Sequence, residues 1–499
     1  MIDLFLQNNP DIKLYEKSVI EDGGAIFFMI SDGLRKFLVI QSGTGTLVQE
    51  MFHGEMLEIG GNNFLKSPLS AENAAALRER FAFSRPVLIG KMNSYGLGDR
   101  LGNAGAAHLK AIRKTTFMPV LAQQSIRELQ RTGRTAQEVI DAATWAVFRE
   151  GYRDGYGADG DHLKTPEDID LMADAGYTMF TIDPSEFVVN EAIHMNRSEL
   201  ETELEKLPWD DLGNTPDIFK DQYFGLKAEL ADGFVLSPSE PEILAGMVKY
   251  GRVITHTKMM SDYLHQSYPD HPAELELSVD ETDQPTTVFE HYLVASELNR
   301  LNVELVSLAP RFCGDFEKGI DFKGDLEQFK KEYRQHLAIA EKFGGYKLSI
   351  HSGSDKFSVY EAIGSLNKGA VHVKTAGTSY LEALRSVAEA DPPLFREILD
   401  YSKSRFETDK KTYHISCDLR KVPDGKAMPD HELKKLLDDD NVRQVLHVTF
   451  GSVLNGPERD INRFKERLME CLNRNEQLYE NNLETHFDRH LEPFIKTDL

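Results

Sequence analysis

The stretch YKLSIHSGSDKFSVYEAIGSLNKGAVHVKTAGTSYLEALRSVAEA (346–390) decides the fold class of this chain. It holds two short apolar runs, YKLSIHSG and AVHVKTAG, and each is followed by a segment whose apolar residues recur at helical spacing. A strand that is followed by a helix and then by another strand is typical of a parallel sheet. We therefore interpret this stretch as two consecutive βα units.

The same alternation extends towards the N-terminus as far as Arg85. Eight apolar runs precede helical segments, and they are PVLIGKMN (86–93), FMPVLAQQ (117–124), YGADGDH (156–162), YTMFTIDP (177–184), AELELSVDET (273–282), VELVSLAPRF (303–312), YKLSIHSG (346–353) and AVHVKTAG (370–377). Eight βα units are the number that closes a (β/α)8 barrel. The alternative is an open doubly wound sheet, but no GxGxxG turn follows the first run. We predict an α/β fold, a (β/α)8 TIM-type barrel over residues 85–395.

Three further regions are predicted around the barrel. They are a β-rich N-terminal unit (1–84), a helical insertion in the barrel (about 185–270) and an α-rich C-terminal extension (396–499). The N-terminal unit is inferred from short apolar stretches such as GGAIFFMI (23–30), which are separated by Gly and Asp. Within the C-terminal extension, HISCDL (414–419) and VLHVTF (445–450) are interpreted as two strand-like runs.

Composition excludes several classes of function. The formal charge of −24 disfavours a nucleic-acid or anionic-membrane partner, because nothing would offset phosphate repulsion. Three cysteines in no CxxC spacing argue against a disulfide framework or a thiolate zinc site, which fits a reducing compartment. No apolar run approaches the roughly 20 residues that a membrane helix requires, and no signal peptide is evident. We expect a cytoplasmic protein with a small anionic substrate, and a homo-oligomer is left open.

Histidines at the ends of the predicted strands indicate a metal site. The active site of such a barrel lies where strands end, and strand alternation turns His351 and His372 towards the barrel interior. His162 ends the third run beside Asp161. We predict that His162, His351 and His372 hold a divalent cation, although each could instead be a hydrogen-bonding barrel residue. Zn, Mn, Fe, Co and Ni all accept imidazole ligands, so the metal itself stays open.

Carboxylates near these histidines are candidates for general acid–base catalysis. Asp161 precedes a predicted metal ligand and would be kept ionised by the cation. Asp280 and Glu281 end the fifth run as neighbours, so alternation cannot turn both inwards. Regular alternation favours Asp280, whereas a bend at the strand end would release Glu281. The sequence leaves this choice open.

Other polar side chains at the strand ends are candidates for substrate binding. Arg311, Arg100 and Lys374 could hold a carboxylate, with a surface salt bridge as the competing interpretation of Arg100. Gln124 ends the second run. Ser352 lies in the segment HSGSDKFS (351–358), which could bind a phosphate, a hydroxyl or a carboxylate, or simply cap the next helix.

Four segments resemble motifs of the tagaturonate/fructuronate epimerases of bacterial hexuronate catabolism. They are GADGDHLKT (157–165), ELSVDETD (276–283), LSIHSGSDKFS (348–358) and AVHVKTAGTSY (370–380), and the third is the most specific. The resemblance implies interconversion of D-tagaturonate and D-fructuronate with a divalent metal and an acid/base pair. It places a metal ligand at His162 and acid–base residues at Asp161 and Glu281, with Asp280 as the rival of Glu281. It further implies that His351 and His372 complete the metal site.

Three other functions compete with this interpretation. A different metal-dependent sugar isomerase or an aldolase would use the same site, and an aldolase would release fragments. A glycoside hydrolase would need two carboxylates and no metal, and only two tryptophans are present to form a sugar-binding platform. A non-catalytic sugar-acid sensor would bind without turnover. The barrel fold does not choose among them.

Overall fold

The computed structural model describes residues 1–42, 48–366, 368–456 and 463–495. Eight parallel strands form a closed barrel, in which each strand pairs with its neighbours in chain order. The barrel strands are β6 (Ser94–Leu97), β7 (Met118–Ser125), β8 (Gly157–Leu163), β9 (Met179–Ile182), β12 (Glu274–Val279), β13 (Ser307–Pro310), β14 (Lys347–Ile350) and β15 (Val371–Thr375). The barrel closes where β9 pairs with β12 and β15 pairs with β6. The predicted (β/α)8 barrel is confirmed.

The first barrel strand does not lie where the sequence placed it. Residues 86–93 form no strand, and β6 begins at Ser94. The backbone NH groups of Ile89 and Gly90 donate to the carboxylate of Glu274 at 3.2 and 2.7 Å, at the amino end of the barrel. Gly90 has a φ of +63°, which turns the chain there. The apolar run therefore crosses the base of the barrel before the strand starts.

Helices surround the barrel and extend beyond it. They are α1 (Ile2–Gln7), α2 (Val48–Met51), α3 (Ala71–Arg80), α4 (Gly105–Ile112), α5 (Ile126–Thr132), α6 (Ala136–Glu150), α7 (Pro166–Ala175), α8 (Arg197–Glu205), α9 (Trp209–Leu212), α10 (Pro216–Tyr223), α11 (Glu240–Ser267), α12 (Val288–Arg300), α13 (Leu326–Lys342), α14 (Phe357–Gly364), α15 (Thr378–Ala390), α16 (Pro392–Asp409), α17 (Asp440–Val448), α18 (Phe450–Asn455), α19 (Lys465–Arg474) and α20 (Glu476–Ile495). Capping boxes start several of them; in α6, for example, Thr135 and Glu138 satisfy each other's backbone NH groups.

The N-terminal region forms an antiparallel sheet of five strands in the order β1-β2-β3-β5-β4. The strands are β1 (Lys13–Asp22), β2 (Ala25–Ser31), β3 (Lys36–Ser42), β4 (Glu55–Ile59) and β5 (Asn62–Pro68). One face of the sheet packs against α6, where Phe27 and Phe81 join Trp145 and Phe148 in one apolar cluster. The β-rich unit is confirmed, and it lies on the outside of the barrel.

The insertion between β9 and β12 contains α8 to α11 and a small hairpin. The hairpin pairs β10 (Ala228–Glu229) with β11 (Val235–Leu236). The long helix α11 packs against α12 of the barrel. None of the helices in the described part of the chain has the length and apolar character to cross a membrane.

The C-terminal region is helical, and the two strand-like runs predicted in it are wrong. VLHVTF falls within α17 and the start of α18, because Val442, Val445 and Leu446 recur at helical spacing and are buried. HISCDL is an irregular segment with a short 3-10 turn at its end. Its backbone is held by side chains instead of a strand: the NH of Ser416 donates to Glu317 at 2.7 Å. The division into units 1–84, 85–395 and 396–499 stays a prediction.

Candidate active site

A pocket of about 510 Å³ opens at the carboxyl ends of β12, β13 and β14. Asp280, Arg311 and His351 line it, and each directly follows one of these strands. Thr412 to His414 of the C-terminal region also line the pocket, whereas no described residue of the N-terminal sheet does. This is the end of the barrel at which such folds place their active sites.

Lys374 of β15 lies at the centre of a buried polar cluster beside this pocket. Its ammonium donates to Asp161 at 2.8 Å and to Thr181 at 2.7 Å. It also lies 2.7 Å from Asp159 Oδ2 and 2.8 Å from Glu276 Oε1. Burial opposes the charged form, but these carboxylates raise the pKa of Lys374 well above its ordinary value. The raised pKa favours the charged form of Lys374, and its contacts link β15 to β8, β9 and β12.

A local irregularity in β8 brings two consecutive residues into the cluster. The register of β8 against β9 shifts between Gly160 and Leu163, and His162 has a φ of +54°. Because of this bulge, Asp161 meets Lys374 while His162 reaches Asp183, with Nδ1 3.1 Å from Oδ2. Burial opposes protonation of His162, but Asp161 and the hydrogen bond to Asp183 raise its pKa to about 9.

His351 completes a group of potential metal ligands. One ligand atom from each of Asp161, His162 and His351 lies within 4.8 Å of the others. Both ring nitrogens of His351 face carboxylates, since Nε2 is 2.6 Å from Glu276 Oε1 and Nδ1 is 3.3 Å from Asp280 Oδ1. Burial opposes protonation, but Asp280 and its neighbours raise the pKa of His351 to about 10.

Comparison with known proteins identifies the family. A family model described as tagaturonate epimerase (UxaE) matches residues 15–494. A tagaturonate/fructuronate epimerase of Thermotoga maritima is 42% identical over 480 residues, which cover 96% of both chains. The chain belongs to the tagaturonate epimerase family. It is therefore an isomerase that acts on carbohydrates.

Solved structures of the tagaturonate epimerase family share this architecture over the whole chain. The glycerol-complexed crystal structure of fructuronate-tagaturonate epimerase UxaE from Cohnella laeviribosi is 38% identical, with a TM-score of 0.92. The match covers 99% of this chain and 98% of that one. The native crystal structure of the same protein is 37% identical, with a TM-score of 0.91 and the same coverage.

In this member of the tagaturonate epimerase family, the charge of the cluster fits a divalent cation. Five carboxylates face the ammonium groups of Lys374 and Lys164 and two imidazoles, and the carboxylates are those of Asp159, Asp161, Asp183, Glu276 and Asp280. Buried carboxylates require compensating positive charge. Two protonated imidazoles would supply part of this charge, and one divalent cation would supply an equal part. Imidazole and carboxylate donors suit Zn, Mn, Fe, Co and Ni alike.

The third predicted metal ligand, His372, lies away from this group. In the register of the barrel His372 pairs with Ser349 and Ser94, whereas His351 follows two residues after Ser349. His372 therefore points inwards but one layer deeper, towards the amino end of the barrel. Its Nδ1 is 2.9 Å from Ser94 Oγ, and burial lowers its pKa to about 3. Alternation predicted the direction of this side chain and not its depth.

The structure also separates the two rival carboxylates. Asp280 contacts His351 and accepts a hydrogen bond from Ser278 at 2.5 Å. Glu281 lines the same pocket but is exposed, and its nearest basic group is Arg127 at 3.9 Å. Asp280, not Glu281, is thus the carboxylate that reaches the histidine cluster.

Three of the predicted substrate-binding residues have partners inside the protein. Lys374 is surrounded by carboxylates, as described above. Arg100 is buried, donates through Nε and Nη2 to Glu128 at 3.0 and 2.9 Å, and lies over the ring of Phe450. Gln124 is buried and donates to the backbone oxygen of Asp99 at 3.3 Å. Neither Arg100 nor Gln124 lines the pocket.

Arg311 and Ser352 do line the pocket, together with a lysine that sequence reasoning missed. Lys318, in the loop after β13, donates to the hydroxyl of Ser352 at 2.5 Å. The sequence around Lys318 did not predict that this side chain would line the pocket, because the loop has no periodic pattern of apolar residues. Glu276 was also missed, although it alternates with Leu275 and Leu277 in a strand and could have been placed in the interior.

Proposed function

We propose that this chain interconverts D-tagaturonate and D-fructuronate in the pocket at the carboxyl ends of the strands. The observation that carries the proposal is the match to the tagaturonate epimerase family across residues 15–494. The pocket supports it, because carboxylates and cationic side chains line a space of about 510 Å³. A small sugar acid that acts as substrate would meet both kinds of group there.

We further propose that Asp161, His162 and His351 hold a divalent cation. Asp161 takes the place that the sequence assigned to His372. The second ring nitrogen of His162 faces Asp183, and such a carboxylate partner orients a metal-bound imidazole. When bound, the cation would act as a Lewis acid on the oxygens of the sugar acid.

The chain's own carboxylates would move the protons. The two sugars differ at the carbon β to the ketone, whose C–H bond is not acidified by simple enolisation. One route removes the proton of the hydroxyl on that carbon, breaks the neighbouring C–C bond, rotates the aldehyde and reverses the steps. The other route removes the carbon-bound proton and returns one on the opposite face. The family resemblance assigns these transfers to Asp161 and Glu281; the contact with His351 supports Asp280 in the place of Glu281.

The two routes differ in what they do with solvent hydrogen. In heavy water the direct route introduces deuterium at the inverted carbon, because the proton that is returned comes from an exchanging carboxyl group. The cleavage route keeps the original hydrogen on that carbon. Proton NMR of the product after a single equilibration distinguishes them.

Substrate binding is assigned to Arg311 and Ser352, which both line the pocket. A guanidinium can hold a carboxylate by two parallel hydrogen bonds, and a hydroxyl can serve a carboxylate or a sugar hydroxyl. We infer a cytoplasmic location, since the free cysteines Cys313, Cys417 and Cys471 fit a reducing compartment, and a homo-oligomer remains a hypothesis.

The decisive experiment incubates the purified protein with D-tagaturonate, before and after chelation and after metal is restored. We expect D-fructuronate to form, to cease forming on chelation and to return with metal. Conversion that chelation leaves unchanged would contradict the metal proposal alone. Release of smaller fragments would indicate an aldolase, and no conversion with any metal would contradict the epimerase.

A further inference from the structure

Three lysines near the barrel mouth differ in how their ammonium groups are satisfied. Lys374 has three carboxylates within 2.8 Å. Lys356 donates to the backbone oxygens of Glu317, Ile320 and Ser354 at 2.7, 2.5 and 2.9 Å. An ammonium has three N–H donors, so both of these lysines are saturated by the protein.

Lys318 is not saturated in this way. Among the described residues its ammonium has one hydrogen-bond partner, the hydroxyl of Ser352, and no ion pair within 4.0 Å. The side chain is half-buried, and burial lowers the pKa of Lys318. Glu281 and Asp280 oppose this shift of the pKa, but neither forms an ion pair with Lys318 within 4.0 Å. A partly buried cation with no anion in contact costs free energy, so such groups usually have an anionic partner.

The position of Lys318 shows where an anion would lie. Lys318 and Arg311 line the pocket from the loop after β13, and Asp280 and His351 line it from the neighbouring strand ends. Two other basic side chains of the pocket are already close to carboxylates, Arg127 to that of Glu281 and His414 to that of Asp315. In a chain of formal charge −24, Lys318 and Arg311 both line this pocket and form no ion pair within 4.0 Å among the described residues, which is a specific feature.

We infer that Lys318, together with Arg311, binds the carboxylate of the sugar-acid substrate, and that Ser352 holds the ammonium of Lys318 in place. The inference rests on the proposed function for the identity of the substrate, and it makes Lys318 the residue that selects sugar acids over neutral keto-sugars. A carboxylate bound there leaves the ketone end of the sugar to face Asp280 and His351. During a cleavage route, the aldehyde fragment that carries the carboxylate would stay attached to the protein through Lys318.

The test compares Lys318→Met with two other variants. Lys318→Arg keeps the positive charge, and Lys331→Met removes an exposed lysine of α13 and serves as the matched control. Two ligands are titrated calorimetrically into each variant: D-tagaturonate, and D-tagatose, which carries CH2OH where the acid carries its carboxylate. KM and kcat for D-tagaturonate are measured alongside, and thermal unfolding checks that each variant is folded.

For Lys318→Met we expect KM and Kd for D-tagaturonate to rise about 10- to 100-fold, the effect of losing a hydrogen bond to a charged group. The affinity for D-tagatose should stay within about 3-fold, Lys318→Arg should recover part of the loss, and Lys331→Met should match the wild type. Equal weakening of both sugars, or no weakening of either, would overturn the inference.

The calorimetric titrations distinguish a failure of this inference from a failure of the proposed function. A wild-type protein that binds D-tagaturonate without converting it contradicts the epimerase, while the difference between the two sugars still decides the role of Lys318. A wild-type protein that does not bind the acid at all overturns both.

Discussion

Two clusters of histidine and carboxylate lie on the two sides of the segment 351–355, and they are built from the same residue types. In the first, Asp161, His162 and His351 lie beside the pocket. In the second, which we call the sealed cluster, Asp355 meets His486 and His490 of α20, with Nε2–Oδ1 distances of 2.5 and 3.1 Å. All three residues of the sealed cluster are buried.

The difference between the clusters is their charge balance. In the sealed cluster Arg443 donates to Asp355 at 2.6 Å, and Nδ1 of His486 lies 3.2 Å from Glu382. Both nitrogens of His486 face carboxylate oxygens. Arg385 Nε lies 2.7 Å from Glu382, so the guanidinium groups of Arg443 and Arg385 match the two carboxylates. Burial lowers the pKa of His490 to about 4, so this ring is neutral and can accept from the hydroxyl of Tyr95 at 2.9 Å.

The comparison teaches that ligand-type residues alone do not indicate a metal. Around Lys374 five carboxylates outnumber the two ammonium groups of Lys374 and Lys164, so further positive charge is needed. In the sealed cluster Arg443 and Arg385 already balance the carboxylates of Asp355 and Glu382, so a metal there would leave an excess of buried positive charge. We interpret the sealed cluster as a structural connection between α20 and the loop after β14.

The largest effect is expected from His351→Gln at the open cluster. Removing one ligand should lower kcat/KM by about 1000-fold, equivalent to several kcal/mol of lost Lewis-acid stabilisation, and should lower the metal content measured by elemental analysis. The matched variant His486→Gln should retain the metal of the wild type. Equal metal loss in both variants would remove the distinction between the clusters.

The next effect concerns stability and is expected from Asp355→Asn in the sealed cluster. Breaking a buried ion pair should lower the free energy of unfolding by about 3–5 kcal/mol. Asp232→Asn is the control, since both aspartates have a positive φ, 62° for Asp355 and 60° for Asp232. The ion pair of Asp232 with Lys368 is exposed and should contribute less than about 1 kcal/mol to the free energy of unfolding. Denaturant titration measures both. A loss as small in Asp355→Asn as in the control would contradict the role of the cluster.

The same variant has a defined pH dependence. Burial opposes ionisation of Asp355, but Arg443 and His486 hold its pKa well below 3.8. A depressed pKa stabilises the fold above the unfolded value and loses this contribution as pH falls through the folded value. The gap in stability between wild type and Asp355→Asn should therefore be constant near neutrality and should narrow below about pH 4. A gap that does not change in acid would argue against this ion pair.

How far the sequence predicted the molecule depends on what each pattern encodes. Periodicity predicted eight βα units, because a buried parallel strand is a continuous apolar run. It misplaced β6, because PVLIGKMN is apolar for another reason: it crosses the base of the barrel. It also misread VLHVTF, where a short apolar run fits strand and helix equally.

In the candidate active site, too, some features were predictable from the sequence and others were not. Alternation turned His351 and His372 inwards, but only the register between β14 and β15 reveals that they lie in different layers. The bulge that brings both Asp161 and His162 into the cluster breaks the alternation of side chains along β8. Lys318 lies in a loop whose sequence has no hydrophobic periodicity. The ends of β12 and β14 were predictable from the sequence, whereas depth in the barrel depends on pairing between strands.

The smallest effect is therefore expected at His372, and it tests this argument about depth directly. An asparagine at this position keeps an N–H group near Ser94. His372→Asn should therefore change kcat/KM by less than about 10-fold and should leave the metal content unaltered. The reason is that a buried neutral side chain one layer below the cluster contributes only packing and one hydrogen bond. A comparison of this variant with His351→Gln shows whether a histidine that points into the barrel also binds the metal. Should it lose metal as completely as His351→Gln, His372 would return to the ligand set and the layer argument would fail.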